Sequence, residues 1–169
     1  GYYVTWNNGN NKGILSAAHV LNSTGYAVHQ SSYPDFEKIG TTVQMCTWQK
    51  SDSALAEFDN GISGIREIWN QTSRPTVYSE MRTANMQWGE VVEMMGSTSG
   101  YLSGEILRIQ TIHHYRGYNL QEQLVLNLQV QHGDSGAPVY KTGAYNLCTA
   151  YGVIWGRDEP PDGISYASA

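Results

Sequence analysis

Gly133-Asp134-Ser135-Gly136-Ala137-Pro138 follows, two residues on, Leu124-Val125-Leu126-Asn127-Leu128-Gln129-Val130, and these two stretches decide how the chain is read. Leu124, Leu126, Leu128 and Val130 recur at every second residue, the period of a strand with one core face. That strand runs out just before Gly133. A serine flanked by glycines fits a tight turn with its hydroxyl exposed, and the same turn can aim the Gly133 and Ser135 amides at one point, as an oxyanion hole requires. The plain alternative is an ordinary Gly-Asp-Ser-Gly loop between strands. Four fixed residues arise by chance about once in 10⁵ start positions at background usage.

Short strand-like runs recur on either side of this motif. Tyr2-Tyr3-Val4-Thr5-Trp6 and Gly13-Ile14-Leu15-Ser16 flank an Asn-Gly-Asn turn and read as a hairpin. Tyr26–His29, Lys38–Met45, Ser53–Phe58, Glu90–Met95, Gly104–Ile112, Tyr151–Trp155 and Ile164–Tyr166 follow, the last after an Asp158–Gly163 turn. Helical periodicity is weak throughout. With 18 Gly, 12 Tyr and 5 Trp, the chain is predicted to be all-β, because aromatic side chains suit a pleated surface and glycine supplies turn dihedrals.

Composition narrows the partners. The 169 residues are 40 % hydrophobic and 15 % charged, with a net charge of −5. That is too apolar for disorder and carries no basic footprint for nucleic acid. No apolar run reaches the roughly 18 residues of a membrane-spanning helix, and residue 1 already reads as strand, so neither a membrane partner nor a leader peptide is expected in this stretch.

A nucleophilic serine needs a base, and the base needs an orienting acid. His19, in Leu15-Ser16-Ala17-Ala18-His19, closes a strand among small residues and can reach outward without obstruction. His113 and His114 are adjacent on a strand and point to opposite faces. His29 and His132 have no histidine or cysteine at metal-ligand spacing, so no metal is expected. Asp52, at the mouth of the apolar run Ser53-Ala54-Leu55-Ala56, is placed to accept a hydrogen bond from an imidazole and hold its tautomer. Taken singly, each histidine reads first as a surface or core residue and Asp52 as a common turn aspartate; the order His, Asp, Ser, each at the end of a predicted strand, favours chemistry.

The segments Leu15–His19, Asp52–Leu55 and Gly133–Pro138 resemble, in order, the three signature segments of chymotrypsin-like serine proteases. Gly96-Ser97-Thr98-Ser99-Gly100-Tyr101-Leu102-Ser103-Gly104-Glu105-Ile106 resembles the glycine-rich hairpin of the secreted bacterial branch containing streptogrisins and alpha-lytic protease. The resemblance implies two six-stranded antiparallel β-barrels, residues 1–75 with His19 and Asp52 and residues 76–169 with Ser135, joined by a crossing near Asn70 to Gln87. It implies a serine endopeptidase working through an acyl-enzyme, with Ser135 as nucleophile, His19 as base, Asp52 as orienting acid and the Gly133 and Ser135 amides as oxyanion hole. It implies no cofactor, a secreted location, a polypeptide substrate, and a pro-region or protein inhibitor as further partner. A catalytically silent binding protein on the same fold is the alternative.

The same resemblance marks departures. Val20, Ser103 and Gln131 stand where the branch tends to place cysteines, and pairing of Cys46 with Cys148 is left open, with unpaired thiols favoured. Each missing bridge forgoes about 2–4 kcal/mol. Asp134 lacks an evident partner: Met94 sits where the branch places an arginine, which leaves Arg82 as the offered cation. The primary pocket would be walled by Gln129, Val130 and His132 on one side and Ile154, Trp155 and Gly156 on the other. Gln129 at the floor argues against a trypsin-like site, while Val130 and Ile154 would narrow it towards small or medium apolar side chains. A glutamate-specific pocket would need histidine or serine donors, of which His132 is the one on offer.

Overall fold

The N-terminal hairpin forms because Asn7 and Asn8 accept positive φ angles of 51° and 57°, which asparagine tolerates better than most residues, and Gly9 completes the turn at 84°. It pairs β1 (Tyr2–Trp6) with β2 (Asn11–Ser16). The computed structural model describes residues 1–32, 35–46, 51–69, 73–115, 118–157 and 164–169. The expected Asp158–Gly163 turn, and Asn70 to Thr72 of the expected crossing, lie outside the described residues.

Three more strands complete the first half: β3 (Ala27–Ser32), β4 (Asp35–Cys46) and β5 (Ser53–Phe58). They join the hairpin in one antiparallel sheet ordered β1-β2-β5-β4-β3. Five strands, rather than six, are present here among the described residues. The chain after β5 runs through turns at Asp59–Gly61 and adds only an isolated bridge from Glu67 to Thr76.

The second half holds β6 (Thr76–Glu80), β7 (Val91–Gly96), β8 (Gly100–Tyr115), β9 (Tyr118–Asn127), β10 (Pro138–Thr142), β11 (Leu147–Arg157) and β12 (Ile164–Ser168). Six of these close on themselves in the order β10-β7-β8-β9-β12-β11, with β11 returning to β10, so the barrel has no open edge. β6 attaches outside the ring, parallel to β11. Neither β6 nor β10 stands out as an apolar run in the sequence.

Ile106, Leu124, Leu126, Val92, Met94 and Ile154 fill the closed barrel. A smaller cluster of Ala18, Leu21, Ala54 and Ala56 packs the first half. Between the two, Ala17 meets Leu120, Val125, Trp155 and Tyr166. This third cluster explains why β9 departs from its expected one-sided burial: Val125 is 2 % exposed although it alternates with the barrel-facing leucines, because its face is covered at the junction with the first half. Cys46 and Cys148 are both free. A fully buried leucine or isoleucine stabilises by about 1.5–3 kcal/mol, comparable with one bridge, and Ile106, Leu120, Leu124, Leu126, Leu128 and Ile154 are all buried to that degree.

Candidate active site

β2 ends at Ser16, and the chain turns at Ala17 into a single helical turn, α1 (Ala18–Leu21). His19 therefore rides on this turn rather than on the strand end expected from sequence. Ala17 and Ala18 have no exposed surface; their small side chains let the turn sit against the barrel junction. Asp52 comes from the residue before β5 and is fully buried.

These two residues meet directly. The Asp52 carboxylate accepts the His19 backbone N–H at Oδ1, 3.1 Å away, and the imidazole Nδ1 at Oδ2. The Ala18 N–H donates to the Asp52 carbonyl at 3.2 Å. With Nδ1 committed to the carboxylate, Nε2 is left without a hydrogen bond among the described residues, and the His19 side chain retains 37 % exposure.

Asp52 is also tied to the second barrel. Its N–H donates to Ser168 Oγ at 3.2 Å, the Ser168 hydroxyl donates to Gln123 Oε1 at 3.2 Å, and Trp155 Nε1 donates to the same oxygen at 2.6 Å. Gln123 and Ser168 are 0 % and 2 % exposed. Sequence reading assigned neither a role. Gln123 lies on the β9 face that alternation alone marks as solvent-facing, and nothing local in the sequence shows that the other half covers it.

Ser135 lies in the turn between β9 and β10, half-buried. Gly136 N–H donates to the Ile154 carbonyl at 2.7 Å and Ile154 N–H to the Ala137 carbonyl at 2.9 Å, pinning this turn to β11. Gly136 has φ +83°, and a Cβ there would fall 2.1 Å from Ser16 Oγ, so the Ser135 turn presses directly on the strand that leads into His19. The close approach thus joins Gly136, the residue after Ser135, to Ser16 and Ala17, which lead into the His19 turn. Among the described residues, the Gly133 and Ser135 amides donate to no backbone carbonyl, whereas the amides of Asp134, Gly136 and Ala137 all do. Gly133 has φ +102°.

Asp134 is 1 % exposed. Its carboxylate accepts the Gln131 N–H at 2.8 Å, the Thr98 and Ser99 N–H groups at 2.9 and 3.0 Å, and the Ser99 hydroxyl at 2.5 Å. Burial by itself would raise its pKa, but these donors, led by Gln131 and Ser99, outweigh it and hold the carboxyl below its ordinary value. The Ser97–Ser99 hairpin tip between β7 and β8 thus does the work for which Arg82 was offered; Arg82 instead precedes a short 3₁₀ turn at Thr83–Asn85.

The residues assigned to the pocket separate by environment. Val130 and Ile154 are 5 % and 1 % exposed within the barrel core, Gln129 and His132 are exposed, and Gly156 is intermediate. Trp155 is buried at the junction and stacks on Tyr166, ring centroids 5.4 Å apart. Arg157 Nη1 donates to the Val130 carbonyl at 3.3 Å, joining the two segments expected to wall the pocket. Among the described residues no three His, Cys, Asp or Glu side chains converge as a metal site.

The fold of the chain superposes on solved structures. A serine protease specific for glutamic acid, described as utilizing a novel histidine triad in substrate binding, matches over 99 % of this chain and 83 % of its own, with TM-score 0.78 and 18 % identity. Protease A of Thermobifida fusca matches over 99 % and 81 %, TM-score 0.76, at 22 % identity. The fold is chymotrypsin-like. A Nocardiopsis protease shares this chymotrypsin-like fold over 99 % of the chain and 81 % of its own, TM-score 0.75, at 19 % identity. No family model and no curated protein matches the chain by sequence.

Proposed function

We propose that the protein is a serine endopeptidase in which Ser135 attacks the scissile carbonyl, His19 takes and returns the proton, and Asp52 orients the imidazole. The observation that carries this reading is the partly exposed His19 ring held by a fully buried Asp52, on a turn that follows directly on Ser16 and Ala17, against which Gly136 of the Ser135 turn packs. Nε2 faces no competing partner among the described residues, so it is available to the serine proton. The Gly133 and Ser135 amides, unspent on the backbone, are the donors for the oxyanion. Collapse through an acyl-enzyme and its hydrolysis by water, with His19 acting as acid and then base, completes the cycle without a cofactor.

A partner for Asp134, which the sequence did not show, bears on the silent-binder alternative. Four donors now satisfy that carboxylate. The proposal takes the protein as secreted, acting on polypeptides, with a pro-region or protein inhibitor as a further partner of the cleft. Cleavage of a mixed peptide library by wild type and by Ser135→Ala tests it: cleavage by the first and none by the second is expected, and equal behaviour of the two overturns it.

A further inference from the structure

Gln123 has no exposed surface, and the next two residues of β9, Leu124 and Val125, are buried and apolar. An amide taken out of water needs hydrogen-bond partners for both of its polar atoms. Its carbonyl oxygen, Oε1, accepts Trp155 Nε1 at 2.6 Å and the Ser168 hydroxyl at 3.2 Å. Its nitrogen, Nε2, donates to the Gln121 carbonyl. A flipped amide would set nitrogen against the indole N–H and oxygen against a carbonyl, so this orientation is the one the surroundings allow.

That orientation also fixes the Ser168 proton. Ser168 stands directly opposite Gln123 in the register of β12 on β9, so the two side chains share a face. A hydroxyl has one proton and two lone pairs. With the proton committed to Gln123, Oγ turns a lone pair to the Asp52 N–H, which donates to it at 3.2 Å. The other donor to Oε1, Trp155, follows Ile154, and Ile154 is hydrogen-bonded to Gly136 at 2.7 Å and Ala137 at 2.9 Å in the Ser135 turn. One buried oxygen therefore joins the backbone of Asp52, in the first half, to the strand that pins the Ser135 turn, in the second.

Resting on the protease reading above, we propose that Gln123 is a positioning residue for the reaction. It touches neither substrate nor the reacting atoms. It sets where the His19–Asp52 pair stands relative to Ser135, acting on Asp52 through the oriented Ser168 hydroxyl and on the Ser135 turn through Trp155.

The test measures kcat and KM on one peptide substrate for wild type, Gln123→Met, Gln123→Glu, Ser168→Ala and the double variant Gln123→Met with Ser168→Ala. Circular dichroism checks the fold, and the rate of fluorophosphonate labelling of Ser135 is followed alongside. Gln123→Met keeps the length of the side chain and removes both polar atoms; a small misplacement of reacting groups should lower kcat by about tenfold to a hundredfold, with labelling slowed in step. KM should stay within about threefold, because Gln123 does not meet the substrate. A carboxyl buried at this position stays protonated, so in Gln123→Glu its O–H replaces Nε2 and its carbonyl oxygen keeps the other two donors; kcat should return to within about threefold of wild type. The double variant should lose little more than the worse single variant, since both act along one path. Gln123→Leu carries the same prediction should Gln123→Met not fold. In a protein whose wild type labels at Ser135, an unchanged kcat in Gln123→Met, a loss carried by KM, or losses that multiply in the double variant overturns this inference alone. So does failure of both apolar variants to fold while Gln123→Glu folds, which assigns Gln123 to stability. A folded wild type that never labels overturns the protease reading, and this inference with it.

Discussion

Replacing Asp52 by asparagine changes one atom and removes one charge at a site with no exposed surface. The wild-type carboxylate accepts two hydrogen bonds, from the His19 amide and from its Nδ1. An asparagine oxygen can take only one of these positions, and the NH₂ group must face the other. If the oxygen keeps the amide, the NH₂ meets Nδ1, which must then be the acceptor, and the ring proton moves to Nε2, where it blocks removal of the serine proton. If the oxygen keeps Nδ1, two N–H donors confront each other in the interior at a cost of about 1–3 kcal/mol. The first arrangement is the cheaper, so the wrong tautomer dominates. In the template triad the same change lowers turnover by about 10⁴, or about 5 kcal/mol at 1.36 kcal/mol per decade; that magnitude is adopted for Asp52→Asn. Because Asp52 is sealed from the cleft, KM should stay within about threefold. Steady-state kinetics on one peptide substrate, with circular dichroism to establish the fold, checks this. A loss below tenfold, or a loss carried by KM, refutes the role assigned to Asp52.

Ser168→Ala removes the acceptor of the Asp52 N–H and leaves that buried amide unpaired, a cost of about 1–3 kcal/mol; turnover should fall with KM unchanged, and Ser168→Thr, which keeps the hydroxyl, should recover it. Asp134→Asn should lower stability at pH 7 by about 1–3 kcal/mol, because an amide cannot satisfy the four donors that converge there. The folded pKa of Asp134 is depressed, so its contribution is present above the unfolded carboxyl value of about 4 and is lost as pH falls through the folded value. Urea unfolding at pH 7 and at pH 3 should therefore show a gap between wild type and Asp134→Asn that narrows in acid, and a gap that stays constant contradicts this account of the carboxylate.

Local sequence carries the strands whose one face is apolar or whose turns are marked. The Tyr2–Ser16 hairpin, β5 and the alternation in β9 are legible because period and turn residues agree. β6 and β10 are not, since Thr76–Glu80 is held by its parallel partner β11 and Pro138–Thr142 by closure of the barrel, and both causes are tertiary. His19, Asp52 and Ser135 could be singled out because each stands beside small or glycine residues next to a strand legible in the sequence, although His19 itself lies on the helical turn that follows β2. The groups that support them could not. Gln123, Ser99 and Ser168 act across 32 or more residues of sequence, through hydrogen bonds to Trp155, Asp134 and the Asp52 amide.

The claim on which the rest depends is that Ser135 is a nucleophile activated by His19. Incubation of the folded protein with a fluorophosphonate, followed by digestion and mass mapping, tests it most directly. A single adduct on Ser135, absent from Ser135→Ala and formed orders of magnitude more slowly in His19→Ala, is the expected result. A folded chain that forms no adduct, or labels as fast without His19, contradicts it.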